Sequence, residues 1–144
     1  MPPSGPLTAE ELAELFEART RLVEQLAQLE DPLGSAREVI AQLSERDKLG
    51  ALNAHPAIGA ARLSPRSTAE QGGDSDPVIL TELAYLNQVY EEKFGFRFVV
   101  FVNRRARAQI LEVLRERLER TREEELDTAV EELVAIAENR WRQS

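Results

Sequence analysis

The sequence predicts an all-α fold, a single compact multi-helix domain with a short extended segment near residues 98–102. Three observations predict it. Apolar residues recur at helical spacing along most of the chain. Helix-opening signatures stand between those stripes. The β-branched and aromatic run Phe98-Val99-Val100-Phe101-Val102 has no second such run to pair with, so a sheet is not expected.

Residues 1–6 hold three prolines and a glycine, which predicts a flexible tail ahead of one helical domain over 7–144. Thr8-Ala9-Glu10-Glu11 reads as a capping box. Leu12, Leu15, Phe16, Leu22, Val23, Leu26 and Leu29 follow at helical spacing until Asp31-Pro32-Leu33-Gly34 interrupts them. Ser35-Ala36-Arg37-Glu38 reads as a second box, ahead of Val39, Ile40 and Leu43. Ser44-Glu45-Arg46-Asp47 opens a shorter helix with Leu49 and Leu52. That helix must stop near Ala54, because Pro56 disfavours a helical His55. Residues 55–76 form the least regular stretch, and a long connection in a compact domain is either functional or disordered.

Asp76-Pro77 reads as an N-cap followed by proline at the first helical position. Ile79, Leu83, Leu86, Tyr90 and Phe94 mark one face of the helix that follows, and Gly95 ends it. Ile110, Leu114 and Leu118 stripe another helix. Leu126, Val130, Leu133 and Ala137 stripe the last, which runs towards Trp141. Residues 119–125 form a charged junction between these two. The acidic runs Glu91-Glu92 and Glu123-Glu124-Glu125 read as solvated faces.

Composition narrows the function. The 144 residues are 42% apolar, enough for one cored domain. Acidic residues outnumber basic ones 26 to 18, for a net charge of −8. That balance argues against a nucleic-acid surface and against anionic membranes. No apolar run is long enough to span a bilayer, and the N-terminus lacks the basic and apolar regions of a signal peptide. Cysteine is absent and His55 is the one histidine, which excludes thiolate chemistry and paired-imidazole metal sites. No phosphate-binding glycine loop and no G-x-S-x-G elbow occurs. The starting expectation is a soluble, helical, cytoplasmic protein.

Four features carry chemical potential. His55-Pro56 offers a side chain that titrates near neutrality, suited to proton transfer, although a lone histidine at a helix end is more often a cap or a surface residue. Ser67-Thr68-Ala69-Glu70-Gln71 fits a helix cap, and equally a hydrogen-bonding cluster for an amide-rich ligand. The backbone of residues 98–102 has few partners in an otherwise helical chain, so its amides and carbonyls are open to a planar heterocycle. Arg140 follows Ile136 by four residues on the last helix, so it can lie along that helix's inner stripe, where an arginine needs an anion or acceptors. A solvated arginine near a helix C-terminus is the plainer alternative.

In combination these pieces resemble a known family. Ala54-His55-Pro56-Ala57-Ile58-Gly59, Ser67-x-x-Glu70-Gln71, Leu86-Asn87-x-x-Tyr90-x-x-Lys93-Phe94-Gly95-Phe96 and Phe98-Val99-Val100 are similar to segments of the 2-oxo-4-hydroxy-4-carboxy-5-ureidoimidazoline (OHCU) decarboxylases of urate breakdown. Arg117-Leu118 and Ile136-Ala137-x-x-Arg140 match the family's C-terminal helices, and the resemblance covers roughly residues 8–142. It implies an all-helical, cofactor-independent carboxy-lyase, commonly a homodimer, that yields (S)-allantoin from OHCU. It places the essential histidine on His55, beside Pro56. The polar binding segment falls on Ser67, Glu70 and Gln71, with Glu70 as the second catalytic group. The arginine falls on Arg140, and the backbone that meets substrate on Phe98, Val99, Val100, Phe101 and Val102. On this reading His55 moves a proton to or from the hydroxyl-bearing carbon, while Glu70, Gln71 and Arg140 position the ureidoimidazoline. Three departures stand out: Arg97 where members often carry proline, Leu22 where an aromatic often follows, and a shorter connection from His55 to Ser67. A decarboxylase for a related ureide, or a non-enzymatic helical interaction module, are the alternatives. The module predicts that His55, Glu70 and Arg140 lie apart.

Overall fold

Most of the described helices begin where an N-cap side chain satisfies one of the first free amides; the helix at Arg107, which follows Ala106, does not. The computed structural model describes residues 6–56 and 76–143. Among these lie seven helices: α1 (Ala9–Phe16), α2 (Arg21–Leu26), α3 (Pro32–Gln42), α4 (Glu45–Asn53), α5 (Pro77–Phe94), α6 (Arg107–Leu118) and α7 (Arg122–Arg142). No strand occurs among the described residues. The expected extended segment is present, as residues 98–102 are neither helix nor strand.

Several expected caps are present. Thr8 and Glu11 form the capping box of α1, Ser44 accepts from the Asp47 amide at the head of α4, and Asp76 caps α5. Gly95 ends α5 in the left-handed region, at φ 81°.

Three local expectations need correction. The first apolar stripe is two helices rather than one: Glu17 turns left-handed at φ 76°, and Thr20 caps a new helix at the Val23 amide. The stripe survives because both helices bury their apolar faces. α3 starts at Pro32, capped by Asp31, rather than at Ser35, because proline at the first position is pre-set for helix. The junction before α7 is only 119–121, since Thr121 and Glu124 form a capping box within the acidic run.

α7 packs against α1, α3 and α4, while α5 packs on α6. The core includes Leu12, Phe16, Leu22, Leu52, Leu83 and Ile110, all essentially without exposure. Tyr90 anchors an aromatic cluster with Phe94, Phe98 and Phe96 at centroid distances of 4.6, 5.2 and 5.9 Å. That cluster seats the extended segment on the end of α5.

Candidate active site

His55 stands one residue beyond Ala54, the C-cap of α4. Its N–H donates to the Leu52 carbonyl at 3.1 Å. The side chain is buried, and Nδ1 has no hydrogen-bond partner among the described residues. Burial pushes the imidazole down to about 4, and the charges of Arg140 and Arg97 push the same way against Glu17. The ring is therefore neutral at pH 7. A buried ring nitrogen without a partner is expensive to maintain and is a mark of sites awaiting a ligand.

Arg140 lies on the buried stripe of α7, one turn after Ile136, as its spacing allows. Its Nη1 donates to the Leu15 carbonyl at 2.9 Å, and its Nη2 pairs with Glu17 at 2.8 Å. The left-handed turn at Glu17, in a region that costs a non-glycine residue about 1–2 kcal/mol, ends α1 beside this arginine. The Leu15 carbonyl and the Glu17 carboxylate thus hold this buried arginine.

Phe98, Val99, Val100 and Val102 are buried, and Phe101 is half-buried. The Val99 carbonyl accepts from Arg117 Nη1 at 2.6 Å. Arg105 donates to the carbonyls of Phe101 and Val102 at 2.6 and 3.1 Å, and the Phe101 N–H donates to Glu132 at 3.4 Å. Among the described residues, neither the N–H nor the carbonyl of Val100 has a partner. The segment is thus held at the Val99 carbonyl and at Phe101 and Val102, with the Val100 N–H and carbonyl between these anchors.

Arg97 ties the head of this segment to His55. Its N–H donates to Asn53 Oδ1 at 3.0 Å, and its Nη1 donates to the His55 carbonyl at 2.6 Å and the Asn53 carbonyl at 3.2 Å. The structure therefore brings His55, Arg140 and the extended segment into one neighbourhood. Pro56 follows His55 and is half-buried. Ser67, Glu70 and Gln71 lie outside the described residues.

Behind the segment lies a polar network that the sequence did not announce. Glu125 has no exposure, so the last residue of the acidic run is not on a solvated face. Its Oε1 accepts from Tyr90 Oη at 2.6 Å and Arg117 Nε at 2.7 Å, and its Oε2 pairs with Arg120 at 3.0 Å. The Arg117 guanidinium also lies 4.6 Å from the Phe98 ring centroid. Glu17 was likewise missed: an acidic residue just past a helix has no local signature of its distant partner.

A groove of about 260 Å³ lined by Arg37, Ile40, Lys48, Asp127 and Val134 lies elsewhere, between α3, α4 and α7, and includes none of the expected site residues. Among the described residues no cluster of three His, Cys, Asp or Glu side chains could hold a metal ion. No described helix is long and apolar enough to cross a membrane.

Comparison with known proteins agrees with this geometry. The OHCU decarboxylase family model matches residues 7–142. The chain is 33% identical over 122 residues to the uric acid degradation bifunctional protein TTL of Arabidopsis thaliana, covering 77% of this chain and 38% of that protein. It therefore spans less than two fifths of that relative's length. It is 32% identical over 117 residues to the 2-oxo-4-hydroxy-4-carboxy-5-ureidoimidazoline decarboxylase of Haloferax volcanii, covering 76% of this chain and 69% of that one. A crystal structure of OHCU decarboxylase obtained in the presence of (S)-allantoin superposes with a TM-score of 0.79 at 27% identity, covering 92% of this chain and 96% of that one. The chain belongs to the OHCU decarboxylase family.

Proposed function

We propose that this chain decarboxylates OHCU to (S)-allantoin and CO2 without a cofactor. The observation that carries the reading is His55: a buried, neutral imidazole with an unpartnered Nδ1, within reach of the Arg140 charge.

The chemistry suits such a site. The bond from the ring carbon to the carboxylate breaks and CO2 leaves. Its electron pair passes into the adjoining C=N of the substrate, whose nitrogen takes a proton, so the substrate supplies its own electron sink. The hydroxyl on the same carbon then gives up its proton to become a carbonyl, and the neighbouring ureido-bearing carbon gains one. His55 is the proton carrier in these transfers. Delivery to one face of the ring makes the product optically active. Arg140 holds an oxygen-rich edge of the substrate, and the N–H and carbonyl of Val100 hold ring amide groups. Glu70, Ser67 and Gln71 complete the polar contacts on this reading, with Glu70 orienting the substrate for proton transfer.

We also propose a cytoplasmic homodimer. Val78 and Tyr85, 71% and 62% exposed, stand seven residues apart on one face of α5 and support a second copy there. Light scattering coupled to size-exclusion chromatography tests this: a dimer mass is expected, and a monomer at all concentrations contradicts it.

The activity is tested with freshly generated OHCU against a no-enzyme control, since the substrate decays spontaneously to racemic product. Optically active allantoin is the expected result. Product that forms no faster than in the control and stays racemic contradicts the reading.

A further inference from the structure

α4 ends with carbonyls that have no intrahelical donor. Two of the carbonyls at this end, those of Asn53 and His55, accept from the single Nη1 of Arg97, at 3.2 and 2.6 Å. The Nε of the same guanidinium pairs with Glu91 on α5 at 3.1 Å. The Arg97 backbone N–H donates to Asn53 Oδ1. Four contacts from one residue thus join the end of α4, the last turns of α5 and the head of the extended segment. His55 follows the helix on a short exit whose direction those contacts fix.

We propose that Arg97 is a positioning residue for His55, holding the imidazole in register with the extended segment that faces the substrate. The proposal rests on His55 being the proton carrier. The guanidinium acts in two ways. It pins the His55 backbone, so the ring keeps one placement. It also adds positive charge near the ring, which disfavours the imidazolium. The other charged groups acting on His55 are Arg140 from α7, in the same sense, and Glu17 from the end of α1, in the opposite sense. Glu91 holds the guanidinium in place. A planar fork serves this role where an ammonium cannot, because it donates to Glu91 and to the two carbonyls from different nitrogens.

Three variants separate the pin from the charge. Arg97→Met removes both and is expected to lower kcat about 10- to 100-fold with KM changed less than about threefold, as for a misplaced catalytic group. Arg97→Lys keeps the charge but not the fork, and is expected to recover only part of kcat. Arg115→Met, which breaks surface pairs with Glu82 of α5 and Glu112 of α6, is expected to leave kcat unchanged.

A second readout does not depend on turnover. His55 is the one histidine of the chain, so its Cε1–H gives a single imidazole proton signal. In the folded wild type that signal is expected to stay in its neutral-ring position as the pH falls past 6.5. In Arg97→Met its midpoint is expected to rise but to stay below 6.5, because burial and Arg140 still disfavour the imidazolium, and in Arg97→Lys to stay close to wild type. Wild-type kcat in Arg97→Lys, or wild-type kcat with an unmoved signal in Arg97→Met, overturns the proposal. If the wild type does not decarboxylate OHCU, the proposed function fails. The imidazole signal still decides whether Arg97 governs His55: an unmoved signal in Arg97→Met then overturns the link.

Discussion

The carbonyl of Val99 accepts a 2.6 Å hydrogen bond from Arg117, the same guanidinium that pairs at 2.7 Å with the fully buried carboxylate of Glu125. One ion pair therefore stands directly behind the backbone proposed to meet the substrate. Its partners come from α6 and α7, so it also joins the two C-terminal helices. Buried pairs of this kind contribute little net stability over apolar packing, but removing one member leaves the other charge stranded.

Glu125→Gln is therefore expected to destabilise the protein by about 3–5 kcal/mol, because Arg117 loses its counter-charge where water cannot replace it. Urea unfolding followed by far-ultraviolet circular dichroism reads the loss. A change below about 1 kcal/mol would show that the pair is not buried in solution.

Tyr90→Phe removes the neutral donor to Glu125 and a 3.5 Å acceptor for Arg117 Nη2, and keeps the ring in its aromatic cluster. The expected loss is about 1–2 kcal/mol, by the same urea titration. Turnover is expected to stay near wild type, since the ionic pair behind Val99 remains.

Gly95→Ala tests backbone strain alone. A Cβ at this position meets no atom within 4 Å, yet φ is +81°. The expected destabilisation is about 1–2 kcal/mol, from forcing an L side chain into the left-handed region. Thermal melting with an unchanged Tm contradicts the assigned turn.

His55 makes stability depend on pH. Its folded pKa is lowered to about 4 from 6.5. Below pH 6.5 the unfolded chain takes up a proton on this ring and the folded chain does not, until the pH nears 4. Stability from this group is fully present above pH 6.5 and is lost as the pH falls towards 4, by a total on the order of 3 kcal/mol. The difference in unfolding free energy between wild type and His55→Asn, measured from pH 7.5 to 4.5, isolates it from the carboxylates. A difference that is flat across that range rules out a buried neutral ring.

Much of the fold is written locally. Thr8, Ser44, Asp76 and Gly95 mark helix ends by side chains or backbone freedom that act within a few residues, and the structure uses each of them. The spacing of Arg140 from Ile136 allowed its burial on the inner stripe but equally a solvated place, and the structure buries it. What stayed hidden was non-local. Glu17 ends α1 in a conformation that helical spacing does not encode, and its partner Arg140 is on the last helix. Glu125 looks like its neighbours in an acidic run, and its place in the core comes with Arg117 of α6 and Tyr90 of α5, both on other helices. Arg97 reads as a lone charge among aromatics until the end of α4, more than forty positions earlier, is folded against it. Pairings between distant segments are set by packing, and no pattern of spacing reports them.

The most direct test of the proton-carrier role compares wild type with His55→Asn on fresh OHCU, following the optical activity of allantoin at pH 7.5. The variant is first shown to be folded by its circular dichroism. The account predicts rapid formation of optically active product by the wild type and at least about a 100-fold slower enzymatic rate in the variant. A folded His55→Asn protein that turns over OHCU at the wild-type rate would contradict it.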